Sequence, residues 1–329
     1  RTLNKGQTLL WREYKRNTSN ITGTQILSNK PVAVTLFEDC VDASPSQDII
    51  GDQMVPVENL GKNYIVVKGY SYKSPATDHV GILAVADGNT EVKVGHKDGR
   101  LETKNLKKGE YWAWDLGEGI AEPSAYFVTA DKPVYCMHQS AVETELGGAL
   151  LPSLYSISGR RITFIKGSYK YDPDVSSYNA MFLVFQESAK DGFILDGNPL
   201  PMDHSSVLSS GMVGFEKWMY AKVKLDNTTG KEQVCTVENK EGSFSLGYFT
   251  GNNVTSLYGY LSAFGTFSFG ADTIYHCGDS YQFDAPYART YKWTLPDNNI
   301  LIDTSRYEAK KSGRYILKVE QDPYEITDT

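Results

Sequence analysis

Ser28-Asn29-Lys30-Pro31-Val32-Ala33-Val34 returns 102 residues later as Ala130-Asp131-Lys132-Pro133-Val134-Tyr135-Cys136. One such pair is noise, but this pair is flanked by others in the same order. Upstream, Lys5-Gly6 followed by Trp11 returns as Lys108-Gly109 followed by Trp114, at an offset of 103. Downstream, Gln53-Met54-Val55-Pro56 matches Ala149-Leu150-Leu151-Pro152 at 96, and Gly61 to Gly69 matches Gly159 to Gly167 at 98. Four ordered matches with so small a drift describe a duplicated unit of about 100 residues. The drift falls between the Lys-Pro-Val strand and the following proline, so that segment is expected to be a loop tolerant of length change.

Each copy reads as β-structure. Val32, Val34 and Leu36 alternate with Ala33 and Thr35, a period of two. Asn179-Ala180-Met181-Phe182-Leu183-Val184-Phe185 is nearly continuous apolar sequence, consistent with a strand buried on both faces, although its length alone does not exclude a helix segment. Phe244 to Phe249 and Leu257 to Tyr260 flank Gly251-Asn252-Asn253 and read as a hairpin. Turn sequences such as Asp87-Gly88-Asn89, Asp98-Gly99 and Asp196-Gly197-Asn198-Pro199 punctuate the chain, and no stretch holds a capped 3.6-residue period. The expected fold is all-β: a duplicated domain over 1–268, with β-sandwich-like units over 1–105 and 106–268. After a Gly265 to Gly270 join, a small Ig-like β-sandwich is expected over 271–329, with Tyr291-Lys292-Trp293 on a middle strand and Ser312-Gly313-Arg314-Tyr315 before the last.

The 329 residues carry a net charge of −7 and no basic patch beyond Arg12, Lys15 and Arg16, which argues against nucleic acid as a partner. No apolar run is long enough for a transmembrane helix. A start at Arg1 reads as a mature or trimmed chain. Sequons begin at Asn17, Asn20, Asn227 and Asn253.

A search for chemistry finds no nucleophile elbow, phosphate loop or dinucleotide fingerprint. His79, His96, His138, His204 and His276 show no metal-ligand spacing, so neither a metal nor a cofactor is expected. Cys136 and His138 share one strand face, the raw material of a thiolate dyad, but any i, i+2 pair does so. Asp172-Pro173-Asp174 lacks the further ligands of a calcium loop, and Glu143 with Glu145 reads as solvated rather than as a glycosidase pair. The chain is therefore expected not to be an enzyme. Cys40, Cys136, Cys235 and Cys277 read equally as buried free thiols or as disulfides; three complete pairings are open, of which Cys40 with Cys136 is favoured because both follow a Lys-Pro-Val strand start.

The segment Gly23 to Val34, followed by Asp52-Gln53-Met54-Val55-Pro56-Val57 and Gly61-Lys62-Asn63-Tyr64, resembles the N-terminal domain of IgG-Fc-binding-type proteins. The resemblance covers roughly 1–268. Val55 stands where that family often has Pro, and Leu60 where an aromatic is usual. The C-terminal stretch, with Cys277-Gly278-Asp279-Ser280, Tyr291-Lys292-Trp293 and Ser312-Gly313-Arg314-Tyr315, resembles Ig-like or PKD-like repeats of Bacteroidota surface proteins, though no second cysteine follows Cys277. The resemblance implies an extracellular or cell-surface binding or adhesion protein, part of a longer surface protein, whose partner is an extracellular protein or glycan. A structural stalk is the alternative, and a glycan-active enzyme a third reading. Tyr70 and Tyr72 after Lys68-Gly69, and Tyr169 and Tyr171 after Lys166-Gly167, occupy matching positions and are the candidate binding residues; packing between the units is the competing role. The segments Asp42 to Asp52 and Ala141 to Gly148 are acidic and suit a basic or calcium-bridged partner.

Overall fold

The computed structural model describes residues 1–12, 21–42, 47–69, 78–95, 100–116, 125–142, 145–157, 159–167, 178–214, 217–225, 233–252, 255–261, 276–285, 290–302, 304–321 and 324–328. They form antiparallel strands with three one-turn 3-10 helices, the all-β sandwich architecture that alternation and turn spacing predict.

Strands β1 (Val34–Asp42) and β2 (Gln47–Met54) make a hairpin. The next eight strands are β3 (Asn63–Val67), β4 (His79–Ala84), β5 (Asn89–Gly95), β6 (Leu101–Lys107), β7 (Tyr111–Asp115), β8 (Ala125–Ala130), β9 (Val134–Val142) and β10 (Glu145–Leu150). They pair as two sheets, β3-β8-β5-β6 and β10-β9-β4-β7, which close on a core that includes Tyr64, Ile82, Val94, Trp114 and Val128. The chain then repeats the plan with β11 (Arg161–Lys166), β12 (Tyr178–Gln186), β13 (Phe193–Leu195), β14 (Asn198–Pro199), β15 (Val207–Met212), β16 (Trp218–Lys224), β17 (Gln233–Asn239), β18 (Phe244–Gly251) and β19 (Ser256–Tyr260). These form β11-β17-β13-β14 and β15-β16-β12-β18-β19 around Phe164, Met181, Leu183, Phe193 and Leu246.

The two sandwiches correspond strand for strand, with β15 added at one edge. Register agrees as well: Val80 lies opposite His138 and Trp114, and Met181 lies opposite Tyr248 and Val223. Gly69 and Gly167 follow the equivalent strands β3 and β11. The sheets close over 63–150 and 161–260, while the sequence repeat restarts near Lys108, so β7 to β10 belong to the second sequence copy and complete the first sandwich. The same correspondence makes β1–β2, β9–β10 and β18–β19 three versions of one hairpin.

The segment where the repeat offsets drift is not a loop, as its variable length suggested, but these hairpins. The extra length of the first is taken up between its strands and in a register irregularity between Glu38 and Val41, while the ladders on either side stay paired. β10 packs against both β2 and β19. Its Gly147-Gly148 pair makes this possible: a Cβ at Gly147 would stand 2.7 Å from the Tyr258 Cβ, and one at Gly148 3.3 Å from the Ile50 Cβ. Asp48 and Asp52 are not a free acidic surface. Their carboxylates accept the Leu146 and Leu150 N–H groups at 2.9 and 2.8 Å and so cap the exposed edge of β10.

β12 joins the sandwiches. Alternate strand side chains face opposite ways, so Met181, Leu183 and Phe185 enter the second core. Ala180, Phe182 and Val184 enter a third cluster with Ile65, Val67 and Ala125 of the first sandwich and Trp218, Tyr220 and Phe249 of the second. The C-terminal strands are β20 (Tyr281–Asp284), β21 (Thr290–Thr294), β22 (Ile300–Ile302), β23 (Arg306–Ala309), β24 (Ile316–Gln321) and β25 (Tyr324–Asp328). They pair as β20-β23 and β22-β21-β24-β25 around Tyr291, Trp293, Leu317 and Val319. The Trp293 indole N–H donates to the Thr304 carbonyl at 2.9 Å.

Phe182→Ala removes a fully buried ring between the sandwiches. It is expected to lower urea-unfolding stability by about 3–5 kcal/mol. Leu208→Ala, at an exposed position of edge strand β15, is expected to cost less than about 0.5 kcal/mol. Equal effects of the two would show that the shared core does not form.

Candidate functional site

At one end of each sandwich the chain leaves and re-enters through equivalent points. In the first it leaves β3 through Lys68-Gly69 and returns at Asp78; in the second it leaves β11 through Gly167 and returns at Tyr178-Asn179. Tyr70, Tyr72, Tyr169 and Tyr171 fall in the intervening segments, outside the described residues. The structure places the roots from which those segments spring.

The first root is a buried ionic cluster. The Asp78 carboxylate accepts the Gly69 N–H through Oδ2 and the Ser140 hydroxyl through Oδ1 at 2.6 Å. The Asp78 carbonyl accepts the Leu116 N–H at 2.8 Å. His138 Nε2 stands 3.6 Å from Oδ2, an electrostatic contact too long for a hydrogen bond. On its other side, His138 Nδ1 shares a 2.8 Å hydrogen bond with the Tyr258 hydroxyl of β19. Lys222 of β16 donates to the Gly69 carbonyl at 3.0 Å, so the second sandwich also holds this root. Burial alone raises the Asp78 carboxyl, but His138, Ser140 and Gly69 together outweigh it, and the group lies below its ordinary 3.8.

The second root repeats the arrangement without charge. Asn179 Oδ1 accepts the Tyr248 hydroxyl at 2.9 Å and the Thr250 hydroxyl. The Tyr248 oxygen accepts the Gly167 N–H at 3.1 Å. The Asn179 carbonyl accepts the Leu225 N–H at 3.0 Å. By register, Asp78, His138 and Ser140 correspond to Asn179, Tyr248 and Thr250.

This geometry orders the loop roots; it does not activate a nucleophile. In a Ser-His-Asp triad the imidazole takes the serine proton. Here the Ser140 hydroxyl donates to Asp78 instead, and Asp78, His138 and Ser140 are all completely buried. The Cys136–His138 dyad fails too, because burial pushes the Cys136 thiol well up and keeps it protonated. Glu145 begins β10, half-buried, while Glu143 and Asp172 to Asp174 lie outside the described residues. The Cys40–Cys136 pairing finds no support: Cys136 is a free, buried thiol at the third position of β9. Cys40 is the seventh residue of β1, so the two do not hold sister positions, and its side chain lies outside the described residues. Cys235 is free and buried, its thiol pushed up to about 12 chiefly by burial, and Cys277 is free and exposed.

Sequence reasoning missed Asp78, Ser140, Asn179 and Thr250. The repeat offers a trace of them, since Gly69 and Gly167 precede Asp78 and Asn179 by nine and twelve residues. The unequal spacing and the change from Asp to Asn hide the equivalence until the strands are paired.

Residues 1–250 match the family model described as IgGFc binding protein. No curated protein matches the chain.

Two outcomes follow from the cluster and the thiols. The depressed Asp78 value means its contribution to stability is complete above pH 3.8 and is lost as the pH falls through the lower folded-state value. Asp78→Asn should therefore lower the urea midpoint at pH 7, and its gap from the parent should close below about pH 4; a gap independent of pH would show that the ionised carboxylate is not what holds the root. In native buffer, iodoacetamide should label Cys277 while sparing Cys136 and Cys235 until the chain is unfolded, as read by peptide mass spectrometry.

Proposed function

The chain belongs to the IgGFc-binding protein family, and from that premise we propose that it is an extracellular binding or adhesion protein that recognises its partner through loops at the matching ends of its two sandwiches. The observation that supports this most directly is the pair of equivalent loop roots, each locked by buried polar groups, beneath the two tyrosine-bearing segments. Loops on a rigid β scaffold vary without disturbing the core, and a fixed root lowers the ordering cost of binding. Tyr70, Tyr72, Tyr169 and Tyr171 supply aromatic area with a polar tip, suited to a protein surface or to the face of a sugar.

The partner is an extracellular protein or glycan. With Asp48 and Asp52 engaged on β10, the acidic hairpins have fewer carboxylate oxygens free for a basic or calcium-bridged ligand. We assign 1–268 to the binding body and 271–329 to an Ig-like module, because the C-terminal core of Tyr291, Trp293 and Val319 shares no residue with the other cores. Arg306 bridges to the Lys240 and Glu241 carbonyls, which gives the module a polar seat on the second sandwich.

A second reading, a spacer that holds other domains at a distance, is favoured by the shared third core and the packing of β10 between β2 and β19. The two readings separate in one experiment. Purified chain is tested against immunoglobulin G Fc and on a glycan array, beside a variant with Tyr70, Tyr72, Tyr169 and Tyr171 replaced by Ala and an unchanged circular dichroism spectrum. The binding reading expects a captured ligand and a loss of affinity of about tenfold or more in the variant. Capture that survives the four substitutions moves recognition away from these loops, and no capture on either surface leaves the spacer.

A further inference from the structure

Residues 1–54 carry the core pattern of a sandwich they do not have. At the repeat offset, Leu3, Trp11, Ile26 and Val32 correspond to Leu106, Trp114, Val128 and Val134. The latter four are 1%, 5%, 1% and 0% exposed in the first core. Their N-terminal counterparts are 45%, 65%, 57% and 52% exposed. The local geometry is repeated nonetheless. Gly6 and Gly109 adopt φ of 83° and 84°, and each turn closes with the same hydrogen bond, Gln7 N–H to Asn4 at 3.0 Å and Glu110 N–H to Lys107 at 2.9 Å. A positive φ favours glycine, so the turn is written into the chain even where its core is missing.

The second sandwich supplies a further instance. By register, Val223, Val237 and Phe244 stand where Trp114, Val128 and Val134 do, and all three are buried. β9 is paired on one side by β10 and on the other by β4, and β18 likewise by β19 and β12. β1 has β2 on one side and, among the described residues, no strand on the other.

We propose that residues 1–54 are the closing half of a third sandwich of this plan. Their apolar face docks an opening half: a strand segment with the pattern of β3, β4 and β5, whose middle strand pairs antiparallel with β1 as β4 pairs with β9. A second copy of this chain cannot fill the place in register. The strands of the required type, β4 and β12, already have both edges occupied, by β9 and β7 and by β18 and β16. The missing partner is thus a distinct half-sandwich that alternates apolar residues at β4-like positions, and its docking extends the stack of hairpins β2, β10 and β19 by one unit.

The test compares the full chain with a fusion carrying a copy of residues 61–105 ahead of Leu3. Hydrogen exchange is followed in peptides spanning 3–12 and 26–38. In the unfused chain, peptide 3–12 exchanges freely, and Trp11→Ala leaves the thermal midpoint unchanged while Trp114→Ala lowers it. In the fusion, both peptides slow by about 100-fold or more. A fusion whose added copy carries Val80→Asp and Ile82→Asp fails to slow them. The proposal is overturned if Trp11→Ala destabilises the unfused chain as Trp114→Ala does, or if the intact fusion exchanges like the unfused chain. A concentration-dependent dimer that protects 26–38, detected by light scattering, assigns the face to self-association and overturns it as well.

Discussion

A strand buried on both faces has no side chain free of packing, and β12 imposes that condition on everything around it. Its odd-numbered residues from Met181 to Phe185 complete one core and its even-numbered residues from Ala180 to Val184 complete another. A one-residue slip would exchange the two sets, pushing Phe182 into the space of Met181 or Leu183. The register with β16 and β18 on either side is therefore fixed by two cores at once. The first sandwich inherits this constraint, because its strands β3 and β8 contribute Ile65, Val67 and Ala125 to the cluster that β12 closes.

The buried polar clusters act on the ends of the same strands. Each root must satisfy the backbone N–H that follows the outgoing strand, since an unpaired buried amide is expensive. The first sandwich meets the requirement with a carboxylate, and the second with an amide and a phenol. The carboxylate version needs a compensating environment, which the His138 imidazole, the Ser140 hydroxyl and the Gly69 N–H supply. Tyr258 and Lys222 reach across from the second sandwich to the first root. Packing and polar contacts thus tie the two units at separate points, and the first root is held by groups from both.

Stacking is the third theme. Glycines at 147 and 148 let β10 be approached on both faces, and aspartates on β2 quench its open edge. An edge managed in this way resists unwanted strand addition, which suits a binding protein working outside the cell. β1 stands as the exception, with Leu36 and Phe37 exposed and no second partner strand among the described residues.

Alternation and turn residues are local and survive in one dimension, so the fold class, the duplication and the hairpin from Phe244 to Tyr260 were legible in the sequence, while the apolar run from Asn179 to Phe185 needed its neighbours to separate strand from helix. The matched Lys-Gly positions also marked equivalent strand ends. The nature of the drifting segment was not legible, since a hairpin and a loop accept length change equally well. The kinship of the Phe244 to Tyr260 hairpin with β1–β2 and β9–β10 escaped because Gly242-Ser243-Phe244 stands where they have Lys-Pro-Val. Asp78, Ser140 and His138 come together from positions about 60 residues apart, apart from the pair on β9. Only strand pairing sets such distances, so the tertiary structure decided what the Cys136, His138 and Ser140 face does: bury a thiol, anchor a carboxylate and hold the root of a loop.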